Sequence, residues 1–156
     1  MADIVDKKTR SRIMSQIKGK NTKPELIVRS ELHKLGLRFR IHYKSLPGKP
    51  DIVLPKYKTV VFVHGCFWHH HNCKYFQWPK SNREFWERKI NRNITRDIEV
   101  IEQLIQLDWR VLQIWECCIR GKSEQQISKT MKSAYKWIIK KRNTEVQGEF
   151  PVERHC

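Results

Sequence analysis

The segment 65–80 constrains this chain more than any other part of the sequence. It is rich in His, Cys, Trp and Phe and poor in aliphatic residues. Structureless loops longer than about 12–15 residues are uncommon in compact domains unless they carry a function. Because such a composition offers little aliphatic surface for a core, we expect a functional loop that is ordered by some other means.

The chain before this loop predicts a helix followed by three strands. Thr22 and Glu25 have the spacing of a capping box, so a helix should begin there, and Gly36 suits its left-handed end. Apolar and basic residues alternate over 37–43, which predicts a strand with one buried face. Residues 51–54 and 59–64 are expected to pair as a hairpin.

The chain after the loop predicts a helix, a strand and a final helix. Ser81 and Glu84 offer a second capping box, and isoleucines at 90, 94, 98, 101 and 105 form one stripe of a long helix. Residues 108–115 predict a strand, and the last helix has an apolar face made by Ile127, Met131, Ala134 and Ile138. The predicted fold class is therefore α/β, with a mixed central sheet flanked by helices.

The length of the chain indicates one domain, and its charge indicates that it binds a polyanion. The 156 residues carry 32 Lys and Arg against 16 Asp and Glu, a net charge of +16. Such an excess attracts nucleic acid through counterion release, although a merely solubilising surface is the alternative. We expect a basic arm over 1–21, a folded domain over 22–142 and a polar, frayed tail over 143–156. The longest apolar run, 60–63, excludes a membrane-spanning helix, and with no recognisable secretory signal we expect the cytoplasm.

The loop contains a candidate zinc site. Cys66, His71 and Cys73 lie close together, and Cys117 follows the late predicted strand. Three thiolates and an imidazole form a tetrahedral set that Zn²⁺ favours in closed structural sites. Cys118 could replace Cys117 as the fourth ligand, and the sequence does not choose between them. As adjacent residues on a strand, the two should point to opposite faces. The alternative is a group of buried free cysteines beside exposed histidines.

A second candidate site lies at the end of the hairpin. Asp51 begins one strand and His64 ends the next, so antiparallel pairing can place both at one edge of the sheet. A carboxylate there can hold Mg²⁺ against a phosphate, and Glu25 could reach the same water shell. With His69, these residues could supply the charge neutralisation, oriented water and proton donor that phosphodiester hydrolysis needs. Alternatively, Pro50-Asp51 is only a turn and Glu25 only a capping partner.

Several motifs resemble the very-short-patch repair (Vsr) DNA mismatch endonucleases. They are Pro50-Asp51, the run from Val61 to Cys73, Glu84-Phe-Trp86 and Trp115-Glu-Cys117, and the likeness extends from the arm to about Arg120. The resemblance implies a restriction-endonuclease-like core of the PD-(D/E)xK type, in which the places of the usual second acid and lysine fall on Phe62 and His64. It also implies a strand-specific nick on the 5′ side of the thymine in a T:G mismatch, with the mismatch-repair protein MutL as an associated partner. We expect a monomer.

The same resemblance assigns roles to individual residues. Asp51 would bridge two Mg²⁺ ions and the backbone carbonyl of Val63 would be a further ligand. His69 would act as general base or proton relay, with Glu25 and His64 supporting the hydrated ions. The family's structural zinc ligands correspond to Cys66, His71, Cys73 and Cys117. Val63 stands where a family member has Thr, which is harmless if only the carbonyl binds metal.

Aromatic residues match the wedge with which the family reads a mismatch. Phe67, Trp68 and Trp86 would insert beside the mismatched pair from the major groove, and Met14 from the opposite groove. Planar side chains replace lost base stacking at roughly 1–3 kcal/mol per base. The alternative is that these aromatics, and Met14, only pack inside the protein.

Two other functions also remain open, a zinc-stabilised DNA-binding module without hydrolytic activity and a double-strand restriction endonuclease.

Overall fold

The computed structural model describes residues 6–15, 20–141 and 145–151. Within these ranges the elements in chain order are α1 (Lys7–Ser15), α2 (Lys23–Lys34), β1 (Ile52–Leu54), β2 (Thr59–His64), α3 (Arg83–Gln106), β3 (Arg110–Trp115), α4 (Glu124–Ile139) and β4 (Gln147–Phe150). Short 3-10 turns, Pro55–Tyr57 and Glu116–Cys118, follow β1 and β3. No helix in the described ranges is long and apolar enough to cross a membrane.

These strands form one mixed sheet in the order β1-β2-β3-β4. β1 and β2 pair antiparallel, with Val53 opposite Val60, which confirms the predicted hairpin. β2 and β3 are parallel and are connected through α3, with Val61 opposite Leu112. Because these two central strands run in the same direction, their carboxyl ends lie side by side at one edge of the sheet.

Apolar side chains on the two faces of the sheet form separate clusters. On one face, Leu112 of β3 shares a buried cluster with Leu32 of α2 and Met131 of α4. On the other face, the neighbouring Val111 shares a cluster with Leu104 of α3. Successive strand residues point to opposite faces, so helices cover the sheet on both sides. The predicted mixed sheet flanked by helices is confirmed.

Helix α2 begins and ends as predicted. The Thr22 hydroxyl accepts a hydrogen bond from the backbone N–H of Glu25 (3.4 Å). The Glu25 carboxylate in turn accepts one from the N–H of Asn21 (2.9 Å), one residue further back than in a standard capping box. Gly36 has a φ of +95°, which glycine adopts without strain. The Glu25 carboxylate is thereby held at the N-terminal end of the helix.

The predicted strand over 37–43 is wrong. In this described segment Arg40 makes an isolated bridge with Val53, through backbone hydrogen bonds of 2.8 and 2.9 Å. His42 then has a left-handed φ of 55°, which interrupts an extended chain. Leu37 and Phe39 still pack on the core, so the alternation identified buried positions but not a strand.

The predicted frayed tail is wrong over 147–150, since these residues form β4 parallel to β3. A Cβ added to Gly148 would lie 2.6 Å from the indole nitrogen of Trp137, so β4 approaches α4 closely at a position that only glycine fits. β3 itself begins at Arg110, two residues later than predicted, because Asp108 is left-handed with a φ of 66°.

The start of α3 also differs from the prediction. The N-cap is Asn82, in the left-handed conformation with a φ of 52°, and its side chain makes no capping hydrogen bond. The helix therefore begins at Arg83, one residue later than a capping box from Ser81 predicts, and Glu84 occupies the second position instead of the third. On the predicted apolar stripe, Ile98 is 53% exposed, because it lies at the edge of the stripe.

Candidate active site and metal centre

The predicted zinc ligands come together at the carboxyl ends of β2 and β3. The ligand atoms of Cys66, His71, Cys73 and Cys117 lie within 4.8 Å of one another. Nδ1 of His71 is 3.7 Å from Sγ of Cys66 and 3.5 Å from Sγ of Cys117. Cys66 follows β2 and Cys117 lies in the turn after β3, so the parallel strands bring distant parts of the sequence into one cluster.

The structure selects Cys117 over Cys118 for this cluster. Both residues lie in the 3-10 turn Glu116–Cys118 and not on a strand, so the predicted reason for their divergence was wrong. Cys117 packs with Cys66 and Trp115, whereas Cys118 joins the main core cluster with α2 and α4. The turn therefore separates the two thiols, and Cys118 remains outside the group of potential metal ligands.

The chemistry of this group fits a bound cation. Hydrogen bonding with Cys117, followed by burial, raises the pKa of the Cys66 thiol. A divalent ion would displace thiol protons and stabilise the thiolates, and zinc favours this combination of sulfur and nitrogen donors. The His71 ring stacks on Trp115 with a centroid distance of 4.3 Å and an interplanar angle of 13°, which fixes the imidazole in the cluster.

Asp51 lies immediately before β1, beside the end of β2. Its Oδ2 accepts a hydrogen bond from the N–H of Val63 (2.7 Å). Burial raises the pKa of Asp51 to about 6, the Val63 hydrogen bond lowers it in part, and the charge of Glu25 raises it again. A cation next to this carboxylate would offset the cost of burying its charge. The residue therefore fits a hard metal ion with oxygen ligands.

Glu25 caps α2 and also lies in the candidate site, so the capping and the metal-site interpretations of this residue are compatible. It is 4% exposed and receives a hydrogen bond from Arg29 (3.3 Å). The same Arg29 nitrogen donates to the backbone carbonyl of Asp51 (3.1 Å), linking α2 to the start of β1. Arg29 was not predicted as a site residue. Its position one turn after Glu25 is typical of an ordinary ion pair on a helix.

His64 ends β2 and is 6% exposed. Its ring stacks on Phe62, at 5.6 Å and 2° between planes, and lies 5.2 Å from the ring of Trp115. Burial, and then the neighbouring His69, lower the pKa of His64 to about 3. The imidazole is therefore neutral at physiological pH, and it can serve as a hydrogen-bond partner or ligand but not as a permanent positive charge.

His69 is paired with an acid that the sequence analysis missed. Its Nδ1 makes a short hydrogen bond with the Asp97 carboxylate on α3. Four residues earlier, the Asn93 side chain donates to the carbonyl of Trp68 (3.0 Å), so this face of α3 positions the loop. Asp97 is separated from His69 by 28 residues and has no local motif. The one signal in the sequence is that Asp97 is itself an acidic residue in a basic stretch, directly after Arg96.

A cavity of about 760 Å³ connects these groups. Asp51, Val63, His64 and His69 line it, so the structure brings together the predicted catalytic residues of the hairpin and the loop. Glu25 and Asp97 line it as well, and so do five cationic side chains: Lys20, Arg29, Lys44, Lys49 and Arg96. A buried carboxylate, a histidine–aspartate pair and surrounding cations are suited to metal-assisted hydrolysis of a phosphodiester.

The predicted wedge residues form one aromatic group next to this cavity. The ring centroid of Phe67 lies 5.2 Å from that of Trp68 and 5.4 Å from that of Trp86. None of the three belongs to the buried hydrophobic clusters of the described residues, which argues against the core-packing alternative. Phe85 adjoins Trp86 at 5.3 Å and is 51% exposed. Met14 lies on α1, but its side chain is outside what the structure describes.

Comparison with known proteins identifies the class to which this site belongs. The family described as DNA mismatch endonuclease Vsr matches residues 2–75. The DNA mismatch endonuclease Vsr of Escherichia coli strain K12 is 44% identical over 138 residues, which cover 88% of each chain. The type II nicking enzyme V.XorIIP of Xanthomonas oryzae is 48% identical over 117 residues, 75% of this chain and 86% of that one. V.NmeAIP of Neisseria meningitidis serogroup A is 47% identical over 123 residues, 79% and 88% of the two chains.

The protein belongs to the Vsr family of DNA mismatch endonucleases. The resemblance drawn from the sequence motifs is thereby confirmed. The matched regions extend over most of the chain, so the shared sequence includes both the hairpin and the loop with the potential metal ligands.

Proposed function

We propose that this protein nicks duplex DNA on the 5′ side of the thymine in a T:G mismatch, using Mg²⁺. Such mismatches arise when 5-methylcytosine deaminates, and the nick would start very short patch repair. One observation carries the proposal: Asp51, His64 and the His69–Asp97 pair meet in a cation-lined cavity beside partly exposed aromatic rings. Membership of a mismatch endonuclease family supports it.

The Mg²⁺ ligands in this proposal are the Asp51 carboxylate and the backbone carbonyl of Val63. The Asp51 carboxylate is partly buried and its pKa is raised, so it fits a hard cation, and we expect it to bridge two ions. Bound Mg²⁺ would neutralise charge at the scissile phosphate. Glu25 and His64 line the same cavity and would orient water molecules around the ions. Because only the carbonyl of residue 63 is needed, Val in place of Thr leaves the ligand intact.

His69 moves the proton in this mechanism. Its Nδ1 faces the Asp97 carboxylate, which favours the tautomer with the proton on Nδ1 and the lone pair on Nε2. In this tautomer Nε2 can accept a proton from the attacking water, while Asp97 stabilises the imidazolium that forms. Asp97 is therefore a positioning residue that acts through His69.

The aromatic group would read the mismatch by deforming it. Phe67, Trp68 and Trp86 would enter from the major groove beside the mispaired bases. A wobble pair is easier to unstack than a matched pair, so the energy of deformation discriminates between them. The Lys89 ammonium lies 5.1 Å from the Trp68 ring and 5.5 Å from the Trp86 ring, which puts a positive charge at the point of entry. Insertion of Met14 from the opposite groove is a further expectation.

We assign a structural Zn²⁺ to the four-residue cluster of the loop. An ion held there would order the segment that carries the wedge residues and His69. The chemistry of the donor set supports zinc, because three sulfurs and one imidazole complete a tetrahedral site and leave no open position. The proposed ligands are Cys66, His71, Cys73 and Cys117.

The finer fold class and the partners belong to the same proposal. The mixed sheet would be a restriction-endonuclease-like PD-(D/E)xK core, with Phe62 and His64 at the places of the usual second acid and lysine. Residues 1–21 would contact DNA as a basic arm, and 22–142 would form the endonuclease domain, to which β4 of the tail adds a strand. We expect a monomer that acts on DNA in the cytoplasm and associates with MutL.

The test uses duplexes labelled on each strand and carrying either T:G or C:G. We expect one nick in the thymine strand, only with T:G and only with Mg²⁺. Asp51→Ala should abolish the nick but retain binding to mismatched DNA, while Glu99→Gln, at an exposed carboxylate on α3, should nick normally. Cleavage of both strands in the matched duplex would favour a restriction endonuclease. Tight mismatch binding without a nick under any divalent ion would favour a DNA-binding module.

A further inference from the structure

A second group of potential metal ligands lies beside the proposed magnesium site. The ligand atoms of His64, His69 and Asp97 lie within 4.8 Å of one another. The residues come from β2, the loop and α3, so the tertiary fold assembles them. Two imidazoles and one carboxylate form a donor set suited to zinc, cobalt, nickel or iron, whereas Mg²⁺ prefers oxygen ligands.

His64 provides an independent sign of a ligand. Its Nε2 is buried and has no hydrogen-bond partner among the described residues. The ring is packed against Phe62 and Trp115 and lies 4.0 Å from the ring of His69, so it is not free to turn toward solvent. A buried polar atom without a partner is costly, and the coordination of a cation to this imidazole would offset that cost.

The geometry of the group allows an ion to bind with small movements. Ligand atoms of a tetrahedral zinc site, with bonds of about 2.0–2.1 Å, lie roughly 3.4 Å apart. The observed limit of 4.8 Å therefore requires side-chain shifts on the order of 1 Å. The side chains of His69 and Asp97 are 21% and 20% exposed and line the open cavity. An ion can therefore enter from solvent, and these two ligands can adjust to it.

We propose that His64, His69 and Asp97 bind a divalent transition-metal ion that inhibits the enzyme. The inhibitory role rests on the proposed function, in which His69 accepts a proton from water. A metal ion on Nδ1 of His69 would leave the imidazole proton on Nε2, and an ion on Nε2 would occupy the lone pair there, so in either case Nε2 could not accept a proton from water. The imidazole would then be unable to activate water, while Asp51 could still hold Mg²⁺. Zinc beyond the amount that fills the Cys-rich cluster would therefore slow nicking.

Binding can be measured without DNA or Mg²⁺. Protein already loaded with structural zinc is titrated with Co²⁺ and followed by visible absorption and by zinc analysis of the filtrate. We expect one added Co²⁺ per chain with no thiolate-to-cobalt charge-transfer band, because this site has no sulfur. Asp97→Asn should weaken binding at least about 10-fold. Asp51→Asn is the matched control and should bind Co²⁺ like the parent.

Three outcomes of this titration would overturn the site. The first is that the parent and Asp97→Asn bind Co²⁺ with equal affinity. The second is that Asp51→Asn loses as much Co²⁺ affinity as Asp97→Asn does. The third is a charge-transfer band together with released zinc, which would mean that Co²⁺ exchanges into the cysteine cluster. Inhibition is then tested by adding Co²⁺ or Zn²⁺ to Mg²⁺-dependent nicking. Binding without inhibition would refute the inhibitory role. Because the titration needs no nicking, an inactive protein that binds Co²⁺ as expected would contradict the proposed function and leave the site intact.

Discussion

Asp51→Asn should make the protein more stable at the same time as it removes the metal ligand. Asn keeps the shape of Asp and retains an oxygen that can accept the Val63 N–H, which lies 2.7 Å from Oδ2. In the parent, burial raises the pKa of Asp51 from 3.8 to about 6. The difference corresponds to about 3 kcal/mol between the ionised and protonated forms. This energy is a cost of folding whenever the carboxylate is charged.

The sign of the pH dependence follows from proton linkage. The folded carboxyl group binds its proton more tightly than the unfolded one, so parent stability falls as pH rises from about 4 to about 6. Above about pH 6 the carboxylate of the folded protein is charged, and its full destabilising effect is present. Asp51→Asn carries no such charge. Its advantage should therefore be close to 3 kcal/mol near pH 8 and about half of that near pH 5.

The measurement is urea unfolding followed by tryptophan fluorescence, on zinc-loaded protein without added Mg²⁺. Zinc content is checked at both pH values, and Glu99→Gln serves as an exposed control that should change stability little. Adding Mg²⁺ should then stabilise the parent but not Asp51→Asn. A variant no more stable than the parent near pH 8, or a gain that is larger near pH 5, would contradict the assignment of Asp51 as a destabilising, partly buried charge.

Three other perturbations test separate parts of the molecule. Cys73→Ser should lose zinc and lower the melting temperature, whereas Cys118→Ser should keep one zinc per chain by metal analysis; equal zinc content would remove Cys73 from the ligand set. Trp68→Ala should reduce the preference for T:G over C:G duplexes by roughly 1–3 kcal/mol in competition binding, and an equal loss on both duplexes would make Trp68 a packing residue. Gly148→Ala should cost about 1–3 kcal/mol in urea unfolding, because the added Cβ would lie 2.6 Å from Trp137; unchanged stability would mean that β4 does not pack there.

The parts of the site that were predictable have a local sequence signal. The cluster of Cys66, His71 and Cys73 is visible in the sequence because three potential ligands lie within one unusual loop. Asp97 was missed because its partner is 28 residues away and the contact exists only after α3 packs on the sheet. The choice of Cys117 over Cys118 likewise depended on a 3-10 turn that residue periodicity does not indicate.

The fold shows the same division between local and tertiary causes. The capping residues before α2 and the left-handed Gly36 act within a few residues, so the helix was predicted with its correct limits. β4 has no apolar alternation of its own, and its sequence, Gln147–Phe150, is largely polar. It becomes a strand because β3 offers an unpaired edge and because Gly148 permits close contact with Trp137. A polar segment can therefore complete a sheet when its neighbour supplies the pairing.

Trp115 explains why the proposed zinc site and the proposed chemistry depend on each other. Its ring stacks on His71 at 4.3 Å and lies 5.2 Å from His64 and 6.4 Å from His69. Its indole N–H donates to Glu149 (3.1 Å), which connects the ring to β4. If the proposed zinc ion were removed, His71 would lose its ligand bond and the packing around Trp115 would relax, which would move both histidines relative to Asp51. Loss of nicking after zinc removal would therefore reflect lost geometry, and it would give no reason to assign zinc to the hydrolytic step.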